Sequence, residues 1–455
     1  MRTPQTASLS KKIKNRVPLI TLGYLFFIVY GSLIPFELRD YSFPDAIDAF
    51  KNIGYLQLGV ASRADWVANI LLYIPFALML MAWLDRASHT RAGHAFNILL
   101  VATVCISVAV IVEFTQIFFA PRTVSLNDLI AETIGSVIGI FIWQVFGQKL
   151  KDWSFSINLG GQRGIDSVFA GYFVLLFVFS FFPFDLLISL DEFSSKLQGT
   201  LVALFWIDQV EGSAVRTYAS RIGLLLFFMP FGTLLSMNWG LSGGGLKRAM
   251  VAGALLALLI ECLQLFIASG VTEGGSVILA AVGTGLGYWG VQWLKSQGVS
   301  LLLSWFSRLW LLLVPGYVFL LMFFNGWFSQ AWVGMPEAIS SFDYRGLIPF
   351  YYHYFSTEVS AVRSLIFNSV IYAPLGVGAL LLYLNAPHKR ALFRNMALVV
   401  GGSLAFVMET GKLFISIKHP DYSNVLIAIV SIRVVFEFLV WLLKSFPQSS
   451  SLPRG

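Results

Sequence analysis

Six residues carry ionisable or amide groups at spacings that could do chemistry within otherwise apolar sequence: Asn69, Glu113, Gln116, Arg122, Asp128 and Glu132. Five of them fall in one stretch, residues 111–139, I-V-E-F-T-Q-I-F-F-A-P-R-T-V-S-L-N-D-L-I-A-E-T-I-G-S-V-I-G. A carboxylate is costly in hydrocarbon, so one kept there faces a bundle interior or a wet cavity. A guanidinium offers a fork of donors to a carboxylate or a phosphate. Asp128 and Glu132 could form an acid/base pair, but the sequence identifies no nucleophile or water for them to activate.

Helices must position these groups. Residues 95–119 read as one membrane span and 127–146 as the next, joined by the short link from Ala120 to Leu126. The two form an antiparallel hairpin with Arg122 at its tip. Glu113 and Gln116, three apart, share one helix face; Asp128 and Glu132, four apart, share a face of the partner. Opposite charges are therefore expected to meet near one membrane surface. Structural roles compete with a binding role throughout. Glu113 could simply tie two helices together, Arg122 could anchor at the interface or pair with Asp128, and Asn127, Asp128 and Ser125 could cap the second helix of the hairpin.

The motif recurs. Glu261 follows Glu113 by 148 residues and Glu409 follows Glu261 by the same 148, a fixed period that signals internal repetition. Gln264 and Lys412 stand where Gln116 stands, Ser276 and Asn424 where Asp128 stands, and Gly283 and Gly287 where Gly135 and Gly139 stand. Pro75, Pro230 and Pro374 each interrupt the apolar run before the glutamate, and the pairs Pro35-Phe36, Pro183-Phe184 and Pro349-Phe350 precede them. The prolines are expected to kink their helices, and Gly135-x-x-x-Gly139 to let helices approach closely within a unit. Pro75, Pro230, Pro374, Gly135, Gly139, Glu261 and Glu409 are accordingly read as structural. G-T-G-L-G at 283–287 lies inside a predicted span without a nucleotide-binding context.

Composition settles the class. Of 455 residues 57% are hydrophobic and only 12% charged, which excludes two or three soluble domains and predicts an integral membrane protein. Twelve stretches approach the roughly 20 apolar residues of a span. They group as an all-α polytopic protein of three four-helix units: residues 17–150, 151–298 and 299–446, flanked by an N-terminal segment 1–16 and a tail 447–455. Each unit has a longer segment between its first and second spans, and the one after Asp185 could hold an interfacial helix or an ordinary loop. The net charge of +7 is dispersed in alternate loops, so it reads as a topology signal with both termini cytoplasmic, and not as a nucleic-acid surface. Acidic residues, among them Glu37, Asp185, Asp208, Glu211 and Glu337, mark the opposite loops. Cys105 and Cys262 are read as buried and unpaired, and the five histidines as loop residues without metal-ligand spacing. No metal, cofactor or nucleic-acid partner is expected.

The sequence Asn69, Pro75, Phe76, then Glu113, Gln116, Arg122, Asp128, Gly135 and Gly139, in the pattern N-x-x-x-x-x-P-F followed by E-x-x-Q, Arg, Asp and G-x-x-x-G, resembles the VanZ-like membrane family. The resemblance is clear over the first unit and extends weakly over the other two. This chain has Ser125 where the family commonly has Asp, and Glu132 where it commonly has Asn. The family takes its name from a protein associated with low-level teicoplanin resistance. The resemblance implies a multi-pass protein of the bacterial cytoplasmic membrane with a cell-envelope role, and implies no reaction. The expected partner is a membrane lipid, a lipid-linked envelope precursor or a lipoglycopeptide, engaged by Glu113, Gln116, Arg122, Asp128, Glu132 and Asn69. A proton-coupled transporter and an enzyme acting on lipid-linked saccharide are the alternatives.

Overall fold

The computed structural model describes residues 4–55, 60–85, 90–203, 214–239, 244–270, 274–297 and 299–445. Arg86, His89, Asp208, Glu211, Ser242, Gly243, Glu273 and the tail 447–455, which the sequence reading touched, lie outside these. Backbone N–H and C=O groups in hydrocarbon must be satisfied within their own segment, so the apolar runs become helices.

The chain begins with α1 (Pro4–Leu33), a two-residue strand β1 (Glu37–Leu38), α2 (Phe43–Lys51), α3 (Val60–Leu84), α4 (Arg91–Gln116), β2 (Phe119–Ala120) and α5 (Leu126–Leu159). It continues with α6 (Gly161–Phe181), α7 (Leu190–Ala203), α8 (Ala214–Trp239), α9 (Gly245–Gln264) and α10 (Gly274–Gln297). Last come α11 (Val299–Phe324), α12 (Met335–Ser340), α13 (Tyr351–Tyr354), α14 (Glu358–Asn385), α15 (Arg390–Gly411) and α16 (Ser423–Ser445). Nine of the described helices are long and apolar enough to span a membrane. The other three long ones, α8, α9 and α11, occupy the remaining positions of a four-helix pattern. Within them α8 and α11 hold shorter apolar stretches, Arg221–Met237 and Leu312–Phe324, and α9 carries Lys247, Arg248 and Glu261.

The second and fourth long helices of each set pack at backbone distance. A Cβ on Gly135 would lie 2.3 Å from the Ile70 carbonyl oxygen, and one on Gly139 2.5 Å from that of Ile74. At the matching positions, Gly283 meets Leu225 and Gly287 meets Met229 at 2.4 and 2.0 Å. The third set inverts the arrangement: Gly376, two residues after Pro374, abuts Ile432. Each proline, Pro75, Pro230 and Pro374, sits inside a continuous helix. Close to it a tyrosine from the first helix donates to the carbonyl three residues earlier: Tyr24 to Leu72 at 3.0 Å, Tyr172 to Phe227 and Tyr317 to Ile371, both at 2.7 Å. Each set also buries its own apolar cluster, around Tyr73 and Phe76, Leu176 and Phe228, and Tyr372 and Ile432.

Two expectations are corrected and one open alternative is decided. Pro349-Phe350 is not the counterpart of the earlier Pro-Phe pairs. Pro35-Phe36 and Pro183-Phe184 directly precede the short pairings of β1 with β2 and of Leu186 with Ile267, whereas the corresponding Trp332–Ile415 bridge comes before Pro349. Cys262 is exposed rather than buried, because it lies on the outer side of α9, while Cys105 is buried. Of the two alternatives for the segment after Asp185, the helix is the one present: α7 begins at Leu190, which is exposed, as are Leu186 and Ile188 just before it.

Candidate functional site

The hairpin of α4 and α5 places the site residues at one end of the first bundle. Ser125 has extended backbone and caps α5: its Oγ accepts the Asp128 N–H at 3.3 Å and donates to Asp128 Oδ2 at 2.6 Å. Ser125 is thus a side-chain N-cap whose hydroxyl also donates to the Asp128 carboxylate. The cap is therefore Ser125, and Asn127 lies inside the helix, buried, with its carbonyl accepting from Trp66 Nε1 at 3.0 Å. From α3, Asn69 Nδ2 donates to Asp128 Oδ1 at 2.7 Å.

Glu113 and Glu132 lie beneath Asp128, each only 2% exposed. The backbone N–H of Ser125 donates to the Glu113 carboxylate, whose charge interacts with Asp128 and Arg122. Glu132, one turn deeper along α5, interacts with Glu113 and Asp128 and faces the hydroxyl of Tyr73. Among the described residues one oxygen of each carboxylate, Glu113 Oε2 and Glu132 Oε2, has no hydrogen-bond partner, and neither has the Tyr73 hydroxyl. Asp128 and Asn69 are half-buried and form the rim of this cluster.

Gln116 and Arg122 belong to a different arrangement. Gln116 Nε2 donates to the Ser32 carbonyl at 3.1 Å and Arg122 Nη2 to the Gly31 carbonyl at 2.5 Å, so both grip the end of α1. The Arg122 guanidinium lies over the Tyr354 ring, 4.4 Å from its centroid, and none of the ion pairs among the described residues involves it. Burial lowers its pKa, and Tyr354 and Glu113 work against that. The expected pairing of Arg122 with Asp128 does not form: Asp128 is taken by Asn69 and Ser125, and the ends of the Arg122 fork are held by backbone and ring.

The repeats carry the same frame with other chemistry. Gln264 Nε2 donates to Ser180 O at 2.8 Å, as Gln116 does to Ser32. Glu261 accepts from Ser276 Oγ. In the third set Glu409 is fully buried and accepts from Asp421 N at 2.8 Å, from Asn424 Nδ2 at 2.9 Å and from Lys412 Nζ at 2.6 Å. Asp421 also takes hydrogen bonds from Ser423, and His353 Nδ1 lies 3.3 Å from its Oδ2. Burial pushes the Asp421 carboxyl up, but His353 and Ser423 more than offset this and hold it below its ordinary value.

Sequence reasoning offered Ser125 as one of three possible caps and missed Tyr73, the tyrosine locks, and His353, which is not a free loop residue. A signal existed for the first lock, since Tyr172 follows Tyr24 by the repeat period of 148, as Ser180 follows Ser32. Nothing in the sequence marks Tyr354 as a neighbour of Arg122. No groups of three or more His, Cys, Asp or Glu suited to a metal ion occur among the described residues.

Comparison with curated proteins and with solved structures finds no match. A family model described as VanZ/LLP1 matches residues 3–147 and matches again over 169–295. The first match runs from α1 into α5 and the second from within α6 into α10, and together they cover the Glu113 and Glu261 frames. This chain, an all-α integral membrane protein with repeated units, belongs to the VanZ/LLP1 family.

Proposed function

We propose that the first unit binds the polar head of an amphiphilic envelope molecule, a lipid-linked precursor or a lipoglycopeptide of the teicoplanin type, at the Glu113, Asp128 and Glu132 cluster. The observation that carries this reading is the pair of buried carboxylate oxygens, Glu113 Oε2 and Glu132 Oε2, without hydrogen-bond partners. Buried polar groups ordinarily find one, so the cluster is arranged for a donor brought from outside the chain. Asn69 and Asp128 stand at its rim, and the apolar faces of the helices suit an acyl chain. Membership of the family favours a role at the cell envelope. The distribution of Lys and Arg supports a reading with both termini on the cytoplasmic side of a bacterial inner membrane and the cluster toward the outer surface. Arg122, held by α1 and Tyr354, organises this end of the bundle more than it binds an anionic head.

The test is binding of a lipid-linked disaccharide precursor and of teicoplanin to the full-length protein in nanodiscs, for wild type, Glu113→Gln and Asp128→Asn. Loss of about ten- to a hundredfold in affinity is expected for Glu113→Gln, the range for a hydrogen bond to a charged group. Equal binding by all three proteins would eliminate the site.

A proton-coupled carrier is the second reading, favoured by three neighbouring carboxyl groups in the bilayer with no ion pair to a cation among the described residues. Flux into liposomes that follows a proton gradient and disappears in Glu113→Gln would favour it over binding alone.

A further inference from the structure

The three units place a glutamate at one position of one frame, which allows their surroundings to be compared atom by atom. In the third unit the frame contains a cation of its own. Lys412, three residues after Glu409, sets its ammonium 2.6 Å from Glu409 Oε1, with the lysine side chain 14% exposed and the glutamate side chain fully buried. The carboxylate there is completed by Asn424 and by the N–H of Asp421.

In the first unit the same backbone donor is present, from Ser125, twelve residues after Glu113 as Asp421 is twelve after Glu409. The cation is not. Gln116 stands at the lysine position, and its amide turns away to the Ser32 carbonyl. Asp128 replaces Asn424, and Glu132 adds a third carboxyl group, so negative charge has been added where positive charge has been removed. Arg122, the nearby base, is drawn off to Gly31 and Tyr354.

We propose that the carboxylate cluster of the first unit seats a primary ammonium, the head group of a membrane amphiphile, where the third unit seats the side chain of Lys412. This rests on the binding reading above and specifies the chemistry of the head. An ammonium has three N–H donors. Glu113 Oε2 and Glu132 Oε2 are unpartnered acceptors, and Asp128 at the rim supplies a third. A quaternary ammonium carries the same charge without a donor and fits poorly. Pairing satisfies buried charges that are costly when alone.

The test uses full-length protein in phosphatidylcholine nanodiscs, titrated with dodecylamine and with dodecyltrimethylammonium, and read by native mass spectrometry and by the melting temperature. A parallel arm replaces phosphatidylcholine by phosphatidylethanolamine, which separates a lipid amine from a free one. Gln116→Lys rebuilds the tethered ammonium of the third unit beside Glu113, and Glu113→Gln removes the carboxylate charge and replaces one acceptor oxygen by an NH2 donor. Saturable binding of dodecylamine in preference to the trimethyl compound is expected, weakened about ten- to a hundredfold in both variants. Because Lys412 already pairs with Glu409 in this frame, the folded state of Gln116→Lys can be checked by its melting temperature without ligand.

Equal binding of the two compounds, or undiminished dodecylamine binding by Gln116→Lys, overturns the ammonium assignment. If a lipid-linked precursor then still binds in a Glu113-dependent way, the broader reading survives. If no amphiphile of any head group depends on Glu113, both fall.

Discussion

Arg122 and Tyr354, 232 positions apart in the sequence, meet face-on with the guanidinium carbon 4.4 Å from the ring centroid. The contact joins the hairpin tip of the first unit to the last residue of α13 in the third. Around it Tyr30 donates to the Pro349 carbonyl at 2.8 Å, Tyr351 donates to Glu37 Oε1 at 3.2 Å, and Arg345 stands 3.5 Å from the same oxygen. Arg122 thus ties units together.

A double-mutant cycle on Arg122→Gln and Tyr354→Leu measures this tie. A cation over an aromatic face contributes roughly 0.5–2 kcal/mol, depending on how far it is desolvated, and the coupling should fall in that range by thermal unfolding in detergent. Additive effects of the two substitutions would show that the stacking contributes nothing.

Tyr24→Phe removes one hydroxyl and with it the hydrogen bond to the Leu72 carbonyl, three residues before Pro75. We expect a loss of about 0.5–1.5 kcal/mol, the net value of such a hydrogen bond. Tyr172→Phe and Tyr317→Phe should cost similar amounts, since their geometry is shared. A melting temperature unchanged in all three variants contradicts the lock.

Gly135→Ala should be strongly destabilising, because its Cβ would enter the Ile70 backbone at 2.3 Å, and backbone cannot turn aside. Overpacking of this kind costs about 1–3 kcal/mol or more. Gly290→Ala, with nothing within 4 Å of its Cβ, serves as the control and should be neutral or stabilising. The same loss at both sites would rule out close helix approach as the cause.

Glu192 at the start of α7 is gripped by Arg63, at 3.1 Å, and by the Ile188 N–H, at 2.9 Å. These hold its carboxyl down to about 2 from an ordinary 4.5. A carboxyl depressed in the folded state contributes stability that is complete above its ordinary value and is lost as pH falls toward the depressed one. The melting temperature of wild type should therefore exceed that of Glu192→Gln at neutral pH, and the gap should close between pH 4.5 and about 2. A gap independent of pH would assign the effect to packing.

Much of the fold was legible before any coordinates. The twelve apolar runs appear as the long helices, usually within a few residues of their expected ends. The largest differences are α1, which already begins at Pro4 although the apolar run starts near 17, and α5, which runs to Leu159 although the apolar stretch ends near 146; the polar extension of α5, with Gln148, Lys149, Lys151 and Asp152, continues as helix beyond the apolar part. Helical periodicity and hydropathy are local properties, so sequence carries them.

The sequence by itself determined a membrane protein, its repeat of 148, the glycines that let helices touch and the glutamate set in each frame. These follow from composition and spacing, because a buried charge or a missing side chain has a cost wherever it stands along the chain. Only the tertiary structure decided the partners. It gave Asp128 to Asn69 and Ser125, turned Gln116 and Arg122 to the end of α1, and brought Tyr354 and His353 from far along the chain to polar groups at the same end of the bundle. Which donor reaches which acceptor depends on the relative placement of helices packed through long-range contacts, and spacing within one helix does not encode that placement.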